Sequence, residues 1–94
     1  MDQTTKQQQP LVRLSHHARQ RARERGLNVE HALRIVLEYA QVIVNRVPVK
    51  GRVALKGRPV VPVVVRERPG VLVIATVLTQ GQRPSPWTMA LEVA

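Results

Sequence analysis

The clearest structural signal in this 94-residue chain is the segment Val60 to Thr79, VVPVVVRERPGVLVIATVLT. Its two Val- and Leu-rich runs, 60–66 and 71–79, suit a sheet, because β-branched side chains pack well on a pleated surface. Between them lies Glu67-Arg68-Pro69-Gly70, and Pro and Gly are residues that tight turns favour. The segment therefore predicts an antiparallel β-hairpin. Pro62 cannot donate to a strand ladder, which predicts an edge position or a bulge at that point.

Both runs of the hairpin carry apolar side chains on both of their faces. An antiparallel sheet with one wet face would instead alternate apolar and polar residues. Two helices cover only one face of such a sheet. The second face is therefore expected to be covered by the C-terminal segment with Trp87, by a second copy of the chain in a homodimer, or by a different protein.

Two further strands are predicted on the N-terminal side of the hairpin. Arg52 to Lys56 alternates, with Val53 and Leu55 on one face, at the period of a strand. Gln41 to Val47 is a second extended run, and Pro48 to Gly51 is the turn that joins the two.

Two helices are predicted before these strands. Ser15 is placed to cap the first, at about 16–25, and Gly26 stands where a left-handed residue ends a helix. Asn28 is the predicted N-cap of the second, at about 29–40, whose apolar residues fall on one broad arc at the helical period. The second helix is thus expected to lie as a lid on the core.

These elements predict an α+β fold in which two N-terminal helices pack on a four-stranded antiparallel sheet. The domain spans residues 11–80, and its first residues, Leu11 to Leu14, form a short apolar segment that a brief strand would explain. A disordered polar lead-in at 1–10 precedes it. A Pro-rich tail at 81–94 follows, either loose or with a short docking element. There is no apolar run of the roughly 20 residues that a membrane span needs, so a cytoplasmic protein without membrane contact is expected.

The strongest compositional signal is charge. Fifteen Lys and Arg residues stand against six Asp and Glu, a formal net charge of +9. Such a surface attracts phosphate-rich or acidic partners. Aromatic residues make up 2% of the chain, and Tyr39 and Trp87 are the only ones, so base stacking of the kind that single-strand-binding proteins use is nearly excluded. The chain has no Cys, and His16 and His31 have no acidic neighbour at ligand spacing. No cofactor and no metal site are therefore predicted.

One candidate catalytic group lies on the first helix. His17, Arg21 and Arg25 follow one another at i, i+4 and i+8, which places them along one ridge. Cleavage of RNA through its 2′-hydroxyl needs a base, an acid and cations that face the phosphate, and these side chains supply part of that set. Alternatively, Arg21 and Arg25 cap carbonyls at the end of the helix while His17 packs at its edge.

A candidate nucleic-acid-binding patch lies on the predicted sheet. Arg52 and Lys56 share one face of their strand, Arg66 is expected to join them across the sheet, and Arg46 adds a further cation. Together they would track phosphates. The alternative is that these charges protect strand edges against aggregation.

The chain resembles a family of small, uncharacterised bacterial proteins with an HA-x-x-R signature followed by an RG-[IL] helix exit. The matching segments are Ser15-x-His17-Ala18-x-x-Arg21-x-x-x-Arg25-Gly26-Leu27 and Val73-Ile74-Ala75-Thr76-Val77. That family is similar to the RelE/ParE-type toxins, which pack N-terminal helices on a four-stranded antiparallel sheet and include ribosome-dependent ribonucleases. The resemblance covers about residues 14–79. It marks His17, Arg21, Arg25 and Gly26, and the late-strand Thr76.

Two functions follow as hypotheses. The resemblance implies a RelE-like toxin that binds and cleaves RNA, with RNA or the ribosome and a small antitoxin-like protein as partners. The alternative is a non-catalytic basic module that binds nucleic acid or a protein. The segment Pro59 to Val65 departs from the toxin pattern, because many such toxins carry catalytic groups on the sheet and this strand is nearly free of polar residues.

Overall fold

A computed structural model describes residues 9–93, so most of the predicted lead-in, residues 1–8, lies outside the described residues. Along the chain the elements are β1 (Leu11–Leu14), α1 (His16–Glu24), α2 (Val29–Glu38), α3 (Ala40–Arg46), β2 (Arg52–Lys56), β3 (Val60–Arg68), β4 (Val71–Thr79) and β5 (Met89–Glu92). Both predicted caps are present. The side chain of Ser15 accepts from the Ala18 amide, and that of Asn28 accepts from the amides of Glu30 and His31.

The predicted arrangement of two N-terminal helices on a four-stranded antiparallel sheet is wrong. Within residues 9–93 the chain forms three helices and a five-stranded mixed sheet of order β1-β4-β3-β2-β5. A strand precedes the helices, and both edge strands run parallel to their neighbours, β1 to β4 and β5 to β2. The α+β class itself is retained.

The segment Gln41 to Val47, predicted as a strand, is mostly helix α3. Its β-branched residues favour a strand locally, but Ala40, Ile43 and Val47 are the positions that bury, at i, i+3 and i+7. Burial of that helical stripe in the core outweighs the weak local preference.

The two edge strands are four residues each and lack the pattern of a hairpin. Leu11 to Leu14 pairs with Val71 to Ile74, and Met89 to Glu92 pairs with Val53 to Lys56. Parallel neighbours are joined by long connections, so no turn motif in the sequence announces them. The C-terminal segment therefore contributes a strand to the sheet through β5.

The hairpin of β3 and β4 is confirmed, with antiparallel pairing from Val60↔Thr79 to Arg68↔Val71 and a turn in which Gly70 has a φ of 81°. Pro62 lies in β3, an interior strand rather than an edge. The β2–β3 register ends at Ala54↔Val63, so Pro62, the residue before Val63 in the chain, has no register partner in β2. The proline thus falls where no donor is needed toward β2.

The main core lies between the helices and one face of the sheet, which we call the helix side. It includes Ile35, Ile43, Leu55, Leu72 and Ile74, each exposed by no more than 1%. A second cluster, Ala54, Val61, Val63 and Leu78, is buried on the opposite face, which we call the far side. Four far-side residues are thus buried within the single chain, whereas Trp87, one of the predicted covers, is itself 77% exposed.

None of the helices within residues 9–93 combines the length and the apolar character that a membrane crossing requires.

Candidate nucleic-acid interface

Helix α1 is held against the edge of β4, in the region beyond the end of β1. Its buried residues are Ala18 and Ala22, and such small side chains permit a close approach. The pairing of β1 with β4 ends at Ile74, so β4 continues without a β1 neighbour. There the Ser15 hydroxyl donates to the Ala75 carbonyl at 3.1 Å, and Arg25 Nη1 donates to the Val77 carbonyl at 2.6 Å. The cap residues at the two ends of α1 therefore satisfy carbonyls that β1 does not reach.

Arg21 is occupied by a neighbour on its own helix. Its Nη1 lies 2.7 Å from Glu24 Oε1 in an i,i+3 ion pair at the surface. The hydrogen bond from Arg21 is the main cause that holds the pKa of Glu24 below its usual value. Such an exposed pair adds little to stability.

The structure does not bring His17, Arg21 and Arg25 together on one ligand site. His17 is exposed, Arg21 faces Glu24, and Arg25 faces the backbone of β4. Thr76, which the resemblance adds, pairs with Val63 on the far side, away from α1. The structure shows no enclosed pocket in the part of the chain that it describes.

Arg25 is expected to act as a structural residue. Arg25→Ala removes a charged donor from the Val77 carbonyl and should lower the free energy of unfolding by about 2 kcal/mol. Arg21→Ala, which removes an exposed ion pair four residues earlier, should leave the urea midpoint unchanged. Urea denaturation of the two variants checks this, and equal midpoints for Arg25→Ala and the wild type would count against it.

Arg66 is likewise bound inside the protein. Its Nη1 donates to the carbonyls of Val44 and Val47, at 3.1 and 2.9 Å, at the C-terminal end of α3. The last carbonyls of a helix lack intrahelical donors, and Arg66 supplies two of them. Its Nε is buried with no hydrogen-bond partner. Arg66 therefore points to the helix side and caps α3.

The other three residues of the predicted patch separate into two groups. Arg52 and Lys56 lie on the far side, because they alternate with Val53 and Leu55 of the main core. Arg46 is exposed at the end of α3, in the helix layer. The structure thus keeps Arg52 and Lys56 on one face and places Arg46 and Arg66 elsewhere.

Sheet pairing adds a residue that sequence reasoning missed. Arg13 is level with Val73, Val73 with Val65, and Val65 with Arg52, so these four residues form one line across β1, β4, β3 and β2. We call this line the arginine row. Both arginines are exposed and both valines are half-buried. With strands about 4.8 Å apart, the backbones of the two arginines are separated by about 14 Å.

Further cations flank the arginine row on the same face. Arg68 is exposed at the hairpin end, level with Val71, and Lys56 lies four residues along β2 from Arg52. Glu92 is level with Lys56 and offsets part of its charge, and Glu67 has one buried carboxylate oxygen without a hydrogen-bond partner. The charge of the face is therefore concentrated at the row and the hairpin end. Alternation in LVRL could have indicated that Arg13 shares a strand face, but not which strand lies beside it.

Within residues 9–93, no group of three or more His, Asp or Glu side chains is placed to hold a metal ion. No family model, no curated protein and no solved structure matches the chain. The resemblance to RelE/ParE-type toxins stays a prediction.

Proposed function

We propose that this protein is a non-catalytic RNA-binding module that holds phosphates on the far side of its sheet. The observation that carries the proposal is the arginine row, in which Arg13 and Arg52 flank a half-buried apolar strip. A guanidinium grips phosphate through a planar fork of donors. The net charge of +9 supplies the long-range attraction that brings a polyanion to this face. RNA in the cytoplasm is the proposed target.

The apolar strip between the two arginines suits the sugar-phosphate backbone of RNA. Val65 and Val73 are half-buried and carry no polar group that would compete for a phosphate. Arginine stems lie readily along apolar surface while the charged end stays in water. The row therefore offers two cationic ends on a stiff sheet rather than on a loop.

Cleavage of RNA, which the resemblance implies, has less support. It requires a base and an acid on either side of one phosphate. His17 is exposed on α1, and Arg25 is directed at the Val77 carbonyl instead of outward. The binding function needs none of these groups.

The test compares two double variants with equal loss of charge. Arg13→Gln with Arg52→Gln removes both ends of the arginine row, and Arg19→Gln with Arg23→Gln removes two exposed cations of α1. If four cations of the far side contact phosphates, log Kd should rise with log salt at a slope of about 3. The row variant should lose about 1.4 of that slope and bind about tenfold more weakly at low salt. The α1 variant should retain the wild-type slope.

Binding is measured by fluorescence anisotropy of a labelled RNA oligonucleotide over a series of salt concentrations. A wild-type affinity that does not depend on salt would overturn the proposal. If the two double variants lose affinity and salt slope equally, the arginine row is not the RNA interface. An added assay of RNA integrity, with ribosomes present, checks the non-catalytic part, and cleavage by the wild type but not by His17→Ala would refute it.

A further inference from the structure

Trp87 is the one tryptophan of the chain, and it is the most exposed large apolar residue that the structure describes, at 77%. The other aromatic residue, Tyr39, is half-buried against the main core. The low aromatic content argues against a surface that stacks a series of bases. It leaves room for a single stacking position, because one indole is enough for one base.

The backbone that carries Trp87 forms a hydrogen-bonded turn. Pro86 and Trp87 occupy the corner of a turn in which the Thr88 amide donates to the Ser85 carbonyl at 3.0 Å. The hydroxyls of Ser85 and Thr88 lie 2.7 Å apart and close the same turn. Proline fixes its own φ and further limits the motion of the corner. The backbone at the base of the indole is thus held by this turn.

The turn lies at one end of the arginine row. Strand β5 runs parallel to β2, and their pairing begins with Met89 level with Val53, so the turn that precedes Met89 lies toward the Arg52 end of β2. Neighbouring strands are about 4.8 Å apart, which puts the turn beside Arg52. Arg83, also exposed, adds a cation to the segment that leads into the turn. A nucleotide whose phosphate is held at Arg52 would therefore have its base near Trp87.

We infer that Trp87 stacks on one unpaired base of an RNA strand held by the arginine row, which makes single-stranded RNA the preferred ligand. The inference rests on the proposed function, since the row holds the backbone. Stacking requires an open base face, and a duplex buries that face between neighbouring pairs. Phosphate contact alone would bind single strands and duplexes without this distinction.

The fluorescence of Trp87 reports the contact directly, because no other tryptophan contributes. The full-length protein is titrated with a single-stranded RNA oligonucleotide, the duplex formed with its complement, single-stranded DNA of the same sequence, and inorganic polyphosphate. Single-stranded RNA should quench the emission strongly, and polyphosphate, which has no bases, should bind with little quenching. The duplex should behave like polyphosphate. Quenching by the DNA as well supports the same base contact and shows that it does not depend on the sugar.

Variants give a second measurement through the anisotropy of labelled single-stranded RNA. Trp87→Leu keeps an apolar side chain but removes the π-face, and it should weaken binding roughly fivefold or more. Trp87→Phe keeps a ring and should recover part of that loss. Leu37→Ala removes another exposed apolar side chain, on α2, and should leave affinity unchanged. Because Trp87 is largely exposed, neither of its two variants should shift the melting temperature.

The outcomes of these experiments distinguish base stacking by Trp87 from the proposed RNA binding. If single-stranded RNA binds but quenches no more than polyphosphate, or if Trp87→Leu binds like the wild type, the stacking contact is refuted and RNA binding stands. If no RNA binds at low salt, the proposed function fails, and the base contact fails with it.

Discussion

Arg66→Ala should lower the free energy of unfolding by about 3 kcal/mol, because a charged donor to two carbonyls is lost at a partly buried site. The carbonyls of Val44 and Val47 would lose their Arg66 donor at the end of α3. For a domain of this size the loss corresponds to a fall of roughly 12 to 24 °C in melting temperature. Thermal and urea denaturation measure it.

The matched control is Arg68→Ala, two residues along the same strand. Arg68 is exposed, and its loss should change stability by no more than about 0.5 kcal/mol. Arg66→Lys should fall between the wild type and Arg66→Ala, because an ammonium group lacks the planar fork of donors. Equal melting temperatures for Arg66→Ala and Arg68→Ala would show that the cap on α3 does not matter.

Gly57→Ala should cost about 3 kcal/mol or more and release β5 from the sheet. Gly57 has a φ of 114°, and an added Cβ would lie 2.5 Å from the Val93 carbonyl oxygen. The Val93 amide donates to the Lys56 carbonyl, and the Val93 side chain is buried in the main core. The substitution therefore combines backbone strain with the displacement of a core residue.

Gly70→Ala is the control for strain alone. Gly70 also has a positive φ, of 81°, but an added Cβ there meets nothing within 4 Å. It should cost about 1 to 2 kcal/mol. Hydrogen exchange at the Val93 amide distinguishes the two, with fast exchange expected only in Gly57→Ala. Equal stability losses and equal protection would mean that the contact with Val93 is not needed to hold β5.

Structural elements that are stabilised by residues nearby in the sequence could be predicted from the sequence. The hairpin of β3 and β4 has its signal in two apolar runs and a Pro-Gly turn. Both helix caps follow from a single polar residue before each helix. The run of Val and Ile before Pro48 is the counterexample, because its local preference for a strand is overruled by the packing of Ala40 and Ile43.

In the candidate site, too, some features follow from the sequence and others depend on strand pairing. The cationic character of the surface, and the shared face of Arg52 and Lys56, follow from composition and from alternation along one strand. That Arg13 completes a row with Arg52 depends on the parallel pairing of β1 with β4 and on two further registers. No local pattern encodes such pairing, because a strand can add to either edge of a sheet.

For the predicted ridge on α1, the contacts of single side chains could not be predicted from the sequence. Helical spacing predicts that His17, Arg21 and Arg25 lie near one another, but not what each side chain contacts. The contact of Arg25 with the Val77 carbonyl arises because β1 ends at Leu14 and leaves the rest of β4 to α1. A guanidinium that reaches an unsatisfied carbonyl stays there, since a lost partner inside the protein is costly.

Composition and local order were thus enough for the charge, the caps and the hairpin. Long-range packing was needed to turn the run before Pro48 into α3, to bring β1 and β5 to the two edges, and to direct Arg25 and Arg66 inward. The reason is that helix caps and turns are satisfied by atoms a few residues away. Strand partners, and the carbonyls that accept from the half-buried Arg25 and Arg66, are supplied by residues that only folding brings close.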